Sequence, residues 1–244
     1  EKIEAKISVN NDKIEILWFQ DNPPKSGIGK IKLAEMLIKN NFKNEGYWLI
    51  NESWKANTFS YSEEKYILKN FKKNISKESH NHRIKELIWN KSWGSARRQL
   101  KRVNRDVRLF STAKINLSRR KGNVDNAIKK VPKQYLSNES LVYERIKWRR
   151  RAKLEKSSYD LLMSYNGNIT KAAKWWKEVN FHSRKQISYR NYKSAINLLK
   201  KYNNNTNSFS YKSSWLIGWL SLTFEKDPKT AYESFTYMFE NVKT

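Results

Sequence analysis

Five small residues, Ala96, Ala127, Ser158, Ala195 and Ala231, recur along the chain in steps of 31, 31, 37 and 36 residues. Around them a motif recurs in full or in part: an aromatic or apolar residue, a small residue three positions on, and a Leu or Phe four further. In WNKSWGSARRQL the motif is Trp93, Ala96 and Leu100; in SYRNYKSAINLL it is Tyr192, Ala195 and Leu199. That spacing accommodates two helices of about a dozen residues plus two turns. A small side chain lets two antiparallel helices approach closely, and the flanking aromatics and leucines fill the groove between them. One such hairpin leaves an apolar face bare, so the next must stack on it. The expected fold is therefore all-α, an α-solenoid or superhelix of stacked antiparallel helix hairpins, forming one domain over residues 1–244.

Local signals agree. Seven glycines and four prolines in 244 residues are too few for a turn-dense sandwich or barrel, and no period-2 alternation marks a strand. In GKIKLAEMLIKNNF, Ile31, Leu33, Ala34, Leu37 and Ile38 recur at helix spacing after Pro23-Pro24 and Gly27. Ser60 with Glu63 reads as a capping box ahead of EKYILKNF. Asp227 before Pro228 reads as an N-cap before a proline at the first helical position. Pro132 closes the helix that ends in AIKKV.

The charge raises a functional question. Fifty Lys and Arg against 23 Asp and Glu give +27, enough to attract any polyanion. Part of this follows from composition: Lys greatly outnumbers Arg, and Asn, Ile, Tyr and Phe are abundant, as an AT-rich coding sequence gives. Acidic residues are interspersed almost everywhere, the pattern of solvated helix faces. The densest cationic run is Arg149, Arg150 and Arg151, which follows Trp148 in LVYERIKWRRRAK. On a helix three consecutive residues fan around the axis, with Leu141, Ile146 and Trp148 as inward anchors. One arginine is expected to pair or stack internally and the others to meet water. The three together are the candidate contact for a polyanion or glycan.

Other chemistries find little support. There is no cysteine, hence no disulfide or thiolate site. His80 and His82 lie too close to ligate on one helical face, and with His182 they find no carboxylate spacing that completes a metal site. SGIGK lacks P-loop spacing. No apolar run approaches the roughly 18 residues of a membrane span. No catalytic, cofactor-binding or metal-ligating residue is therefore expected. The chain begins at Glu1 without a signal-peptide pattern, as a mature or trimmed form or an excised domain would.

Several blocks, in order, carry a family resemblance: RIKELIWNKSWGSARRQLKRVNRDVRLFSTAKINL, LVYERIKWRRRAK, LLMSYNGN with KAAKWW, and SSWLIGWLSLTFEKDPKTAYESFTYMFENVKT. Together they resemble the N-terminal helical-superhelix domain of soluble lytic murein transglycosylases, from about Lys30 onward and most strongly from Arg83, with residues 1–30 weakly matched. Lys, Asn and Ile stand where that family is richer in Ala, Leu and Arg. The resemblance implies a periplasmic enzyme that cuts peptidoglycan glycan strands without water, leaving a 1,6-anhydro sugar. It also implies that the chemistry belongs to a lysozyme-like domain beyond Thr244, whose glutamate, followed by serine, acts as acid and then base.

Four Glu-Ser pairs occur here, at Glu52, Glu78, Glu139 and Glu233, and none precedes the family's Gly-Leu-Met-Gln stretch. SYNGNITKAAKWW echoes the catalytic domain's Tyr-Asn-Ala-Gly segment, but Gly167 and Asn168 more simply end one helix while Thr170 starts the next. The expected function is thus a non-catalytic scaffold whose partners are peptidoglycan glycan strands and the catalytic domain of the same chain. The alternative is an independent helical-repeat scaffold for protein or RNA; a helix-turn-helix DNA binder ranks third, since no single recognition helix stands out.

Overall fold

The computed structural model describes residues 19, 21–203 and 210–241. Most of the weakly matched N-terminal segment (residues 1–18 and 20) and the last three residues of the closing block lie outside the described residues. Among the described residues the chain is all-α, with thirteen α-helices, short 3-10 and π turns, and no strand. No described helix is long and apolar enough to cross a membrane.

The chain divides into two compact units, Glu1–Pro132 and Lys133–Thr244. The first holds α1 (Gly27–Lys39), α2 (Lys43–Ala56), α3 (Tyr61–Phe71), α4 (Lys77–Trp89), α5 (Trp93–Gln99), α6 (Arg105–Arg119) and α7 (Val124–Lys129). The second holds α8 (Glu139–Arg151), α9 (Glu155–Ser164), α10 (Ala172–Ser188), α11 (Tyr192–Tyr202), α12 (Ser210–Leu220) and α13 (Pro228–Asn241), with a π turn at Ser221–Glu225. Sequence neighbours pack as hairpins: α1 on α2, α4 on α5, α8 on α9, α10 on α11 and α12 on α13. The core of the second unit gathers Ile146, Leu162, Trp175, Val179, Leu198, Leu199 and Leu220. The first has one core around Ile31, Ile50, Trp54 and Ile67 and another around Ile84, Leu87 and Val107.

Helix starts follow the expected chemistry. The Ser60 hydroxyl accepts from Glu63 N at 3.3 Å while Ser60 N donates to the Glu63 carboxylate at 2.7 Å, so two otherwise orphaned donors are satisfied reciprocally. Asp227 Oδ1 accepts from Thr230 N at 3.0 Å, and Ser26 Oγ accepts from Gly29 N at 3.0 Å. Each cap of this kind is worth about 1 kcal/mol.

The hairpin turns share one geometry. Asn41, Lys91, Arg120, Lys153, Arg190 and Lys226 all have φ between 55° and 67°, in the left-handed region. At five of the six the backbone closes as a Schellman motif. In the α4–α5 turn, for example, Ser92 N donates to Leu87 O at 2.8 Å and Lys91 N to Ile88 O at 3.1 Å. The α8–α9 turn repeats this with Leu154 N on Arg149 O at 2.9 Å and Lys153 N on Arg150 O at 3.1 Å.

A small residue follows the left-handed one by five positions in five turns: Gly46, Ala96, Ser158, Ala195 and Ala231. Ala96, Ser158 and Ala195 are wholly buried and Ala231 nearly so. At Gly46 even a methyl group would collide, because a Cβ there would lie 2.5 Å from Ile38 Cγ1 and 2.8 Å from the Ala34 carbonyl. The expected register is thus corrected at two points. Gly46 belongs to the series. Ala127 is only half-buried, since it sits in a six-residue helix entered through a longer turn with positive φ at both Arg120 and Gly122.

A left-handed backbone crowds the Cβ of any side chain, at roughly 1–2 kcal/mol. Lys91→Gly relieves this crowding but frees the unfolded chain; the net expectation is a gain of about 0.5–1 kcal/mol in urea-unfolding free energy. Ala96→Leu, which overfills the helix crossing, is expected to lose about 1–3 kcal/mol in the same measurement.

Candidate functional site

The arginine run closes α8, and its three side chains go to different places. Arg150 forms a two-pronged pair with Glu178 of α10, Nε to Oε2 at 2.6 Å and Nη2 to Oε1 at 3.0 Å, and its guanidinium lies 4.8 Å over the Phe181 ring. Hydrogen bonding to Glu178 raises the Arg150 pKa above its ordinary value. Arg149 is half-buried and donates from Nη1 to the Ser157 carbonyl at 3.0 Å, tying α8 to the first turn of α9. Arg151 is exposed. The fan expected from the 100° helical step is what separates them.

The first unit contains a similar brace. Glu64 of α3 is almost fully enclosed, its side chain 3% exposed, and it receives two arginines. Arg83 Nη2 reaches its Oε1 at 3.1 Å and Arg98 Nε its Oε2 at 2.6 Å. Arg83 is itself 1% exposed, donates through Nη1 to the carbonyls of Trp54 and Asn57 at 2.8 and 2.5 Å, and lies over the Trp54 ring, 4.1 Å from its centroid. Burial pulls the Arg83 pKa down to about 10, with Glu64 opposing the shift, so the group remains a cation at neutral pH.

A buried histidine lies near each brace. His80 Nδ1 faces two N–H donors, Trp54 Nε1 at 3.2 Å and Gln99 Nε2 at 2.9 Å, so its lone pair is used as an acceptor. Burial, then the cations Arg102 and Arg83, lower its pKa to about 4. His182 Nε2 lies 2.9 Å from the Ser158 hydroxyl, which also reaches the Ile146 carbonyl at 2.8 Å. Its pKa falls to about 4 through burial, which together with Arg150 outweighs the opposing Glu178 and Glu155.

The Glu-Ser pairs stand on four different helices. Glu78 and Glu233 are exposed; Glu52 pairs with Lys55 at 2.6 Å. Glu139 is a structural staple: Oε1 accepts from Thr170 N, Lys171 N and Trp175 Nε1 at 3.0, 3.2 and 3.0 Å, and Oε2 from Thr170 Oγ1 at 2.6 Å. The carboxylate from α8 thus fixes the two residues that lead into α10, which begins at Ala172 rather than at Thr170 and has no side-chain cap from Lys171. Tyr165 is likewise internal, stacked on Trp175 at 4.8 Å and donating to Asn168 O at 3.1 Å. Among the described residues no three His, Asp or Glu side chains gather as a metal ion would require.

The acidic partners Glu64, Glu178 and Glu139 are what sequence reasoning missed. For Glu178 a signal was present: with Trp175, Val179 and His182 it lies on one buried helical stripe, and a carboxylate there demands a partner. Protein-family models, curated proteins and solved structures were each compared with the chain, and none matches it.

Removing a brace's anion leaves a buried cation without compensation. Glu64→Gln is expected to destabilise the fold by about 3–5 kcal/mol in denaturant unfolding, more than Glu52→Gln, whose surface pair is worth less than about 1 kcal/mol. The histidines set a pH dependence. Unfolded histidine titrates near 6.5, so the unfolded chain takes up protons that native His80 and His182 refuse. Their contribution is complete above about pH 6.5 and is lost as pH falls toward 4, by up to about 3 kcal/mol per histidine. The measurement is unfolding free energy across pH 4–7, in which a His80→Gln, His182→Gln variant shows the shallower slope.

Proposed function

We propose that the chain is a non-catalytic helical scaffold domain of a peptidoglycan lytic transglycosylase, working in the periplasm. It positions murein glycan strands for a lysozyme-like domain of the same protein. The observation that carries this reading is where the resembling blocks fall in the fold. Arg83 and Arg98 from the first block, Arg150 from the second, and Tyr165 and Trp175 from the third are the braces and ring stacks that hold helices together. A likeness spread over such residues is a likeness of scaffold, since these positions decide which helix faces which.

The treatment of carboxylates supports the same reading. A glycosidic bond needs an acid placed beside the scissile oxygen. Glu139, in one of the Glu-Ser pairs, is instead occupied by four donors from the start of α10. The excess of 27 positive charges suits a wall polymer that bears carboxylates.

Incubated with purified sacculi, the 244-residue chain is expected to be retained on the insoluble wall at low salt and released in high salt. It is expected to liberate no 1,6-anhydro-muropeptides, as read by chromatography of the soluble fraction. Robust release of anhydro products would place the chemistry in this chain and overturn the scaffold role.

A further inference from the structure

The left-handed turns carry a charge pattern that closing a hairpin does not require. Of the six described non-glycine residues with positive φ, five are Lys or Arg. With 50 such residues in 244, little more than one would fall there by chance. Asn41 closes the α1–α2 turn, and Asn suits that backbone better. A cation near a helix C-terminus does favour the dipole. That role is already filled by Arg119 in α6, by Arg149, Arg150 and Arg151 in α8, and by Lys185 in α10; α4 and α12 carry no basic residue in their last turn, and there Lys226 itself donates from Nζ to the Thr223 carbonyl at 3.1 Å.

In the second unit three of these turns lie side by side. Tyr189, next to the α10–α11 turn, donates to Glu155 just past the α8–α9 turn at 3.1 Å, and Lys185 pairs with the same carboxylate at 3.4 Å. Tyr192 then stacks on Phe224 at 4.0 Å, joining the α10–α11 turn to the one that ends at Lys226. Lys153, Arg190 and Lys226, all exposed, thus follow one edge of the unit. They stand one per hairpin, spaced by about a helix diameter, ~10 Å. Exposed Arg151 adds to the same edge, and Leu154 and Tyr189 offer apolar surface between the cations, being 49% and 56% exposed.

We infer that this turn edge is a contact surface for a linear glycan carrying about one carboxylate every ~10 Å, each turn cation meeting one carboxylate. Sugar faces lie over Leu154 and Tyr189. A nucleic-acid strand fits less well. Its charges come roughly every 3.4 Å per strand, and the phosphates between cations would face Glu155, Glu225 and Asp227. This deepens the scaffold reading, on which the choice of a wall polymer rests, and moves the contact from Arg149 and Arg150 to the turns.

The test uses the whole chain and a Lys153→Asn, Arg190→Asn, Lys226→Asn variant, since Asn keeps the left-handed backbone. A variant with Gly at the same positions must reproduce its behaviour. Lys174→Gln, Lys177→Gln, Lys212→Gln removes three cations near the other ends of α10 and α12. The probes are purified sacculi, hyaluronate (a linear glycan with one carboxylate per disaccharide) and poly(U) RNA. The turn variants are expected to bind both glycans about tenfold more weakly at low salt, with an unchanged or raised unfolding midpoint, and the control less than about threefold. Hyaluronate binding that survives the turn substitutions overturns the inference, as does tighter binding to poly(U) than to hyaluronate at equal charge. Sacculus binding that survives them leaves the scaffold reading standing and removes the edge. Loss of hyaluronate binding in the variants, when not even the unsubstituted chain binds sacculi, keeps the edge and removes the scaffold reading.

Discussion

Two helices joined by a turn of two or three residues can lie against each other only if the crossing point next to that turn holds almost no side chain. This chain meets the condition in one repeated way. A left-handed residue reverses the backbone, and five positions later a Gly, Ala or Ser meets the preceding helix. The fixed interval matters because a turn of set geometry delivers the second helix at a set rotation, so the same residue always faces inward. Ser158 shows what a polar occupant must do. Its hydroxyl is buried against α8 and spends itself on the Ile146 carbonyl and His182, leaving no donor or acceptor unmatched at the crossing.

Close crossings fix pairs of helices but not which pair sits on the next. In a chain with 30% charged residues, continuous apolar stripes are short, and the contacts between hairpins include buried ions. Glu64 links α3 to α4 and α5; Glu178 links α10 to α8. A buried ion pair adds little net stability over an apolar pair of equal size, yet each partner strands a charge if the other is misplaced. What such a brace supplies is register, the property a fold of similar hairpins most needs. The aromatic rings beneath both guanidiniums, Trp54 and Phe181, serve the same end, because a cation held over a ring face gains an attraction that is lost if either helix shifts.

Much of this was legible beforehand for a simple reason: caps and small residues act over three to five positions, within reach of a local pattern. Ser60 with Glu63 and Asp227 before Pro228 behave as their spacing says. The left-handed turns were not legible, because the usual flag is glycine or asparagine and here Lys or Arg holds the position in five of six cases. Gly46 was passed over since Lys43 and Ile50 stand where the motif has an aromatic or apolar residue and a Leu or Phe. The partners of the arginines were illegible on distance alone. Glu64 is 19 and 34 residues from its two arginines and Glu178 is 28 from Arg150, and nothing local links them. Glu139, which holds the segment leading into α10 from 31 residues away, belongs to the same class.

The divided fate of the arginine run says where excess charge can act. A helix turns its residues through every direction, so a run of cations along it is shared between core, neighbour and water, and Glu178 neutralises the most central of the three. Turns differ. In the second unit the α8–α9, α10–α11 and α12–α13 hairpins each contribute one along a single edge, with backbone hydrogen bonds that hold its position. A flexible side chain on a fixed Cα then places charge at a regular interval without demanding one conformation. Such an edge suits a repeating polymer better than a single folded ligand, because each contact is weak and the sum depends on the match between two periods. Helical repeats convert a local turn preference into a ruled line of charge, and composition alone could never have distinguished that line from drift.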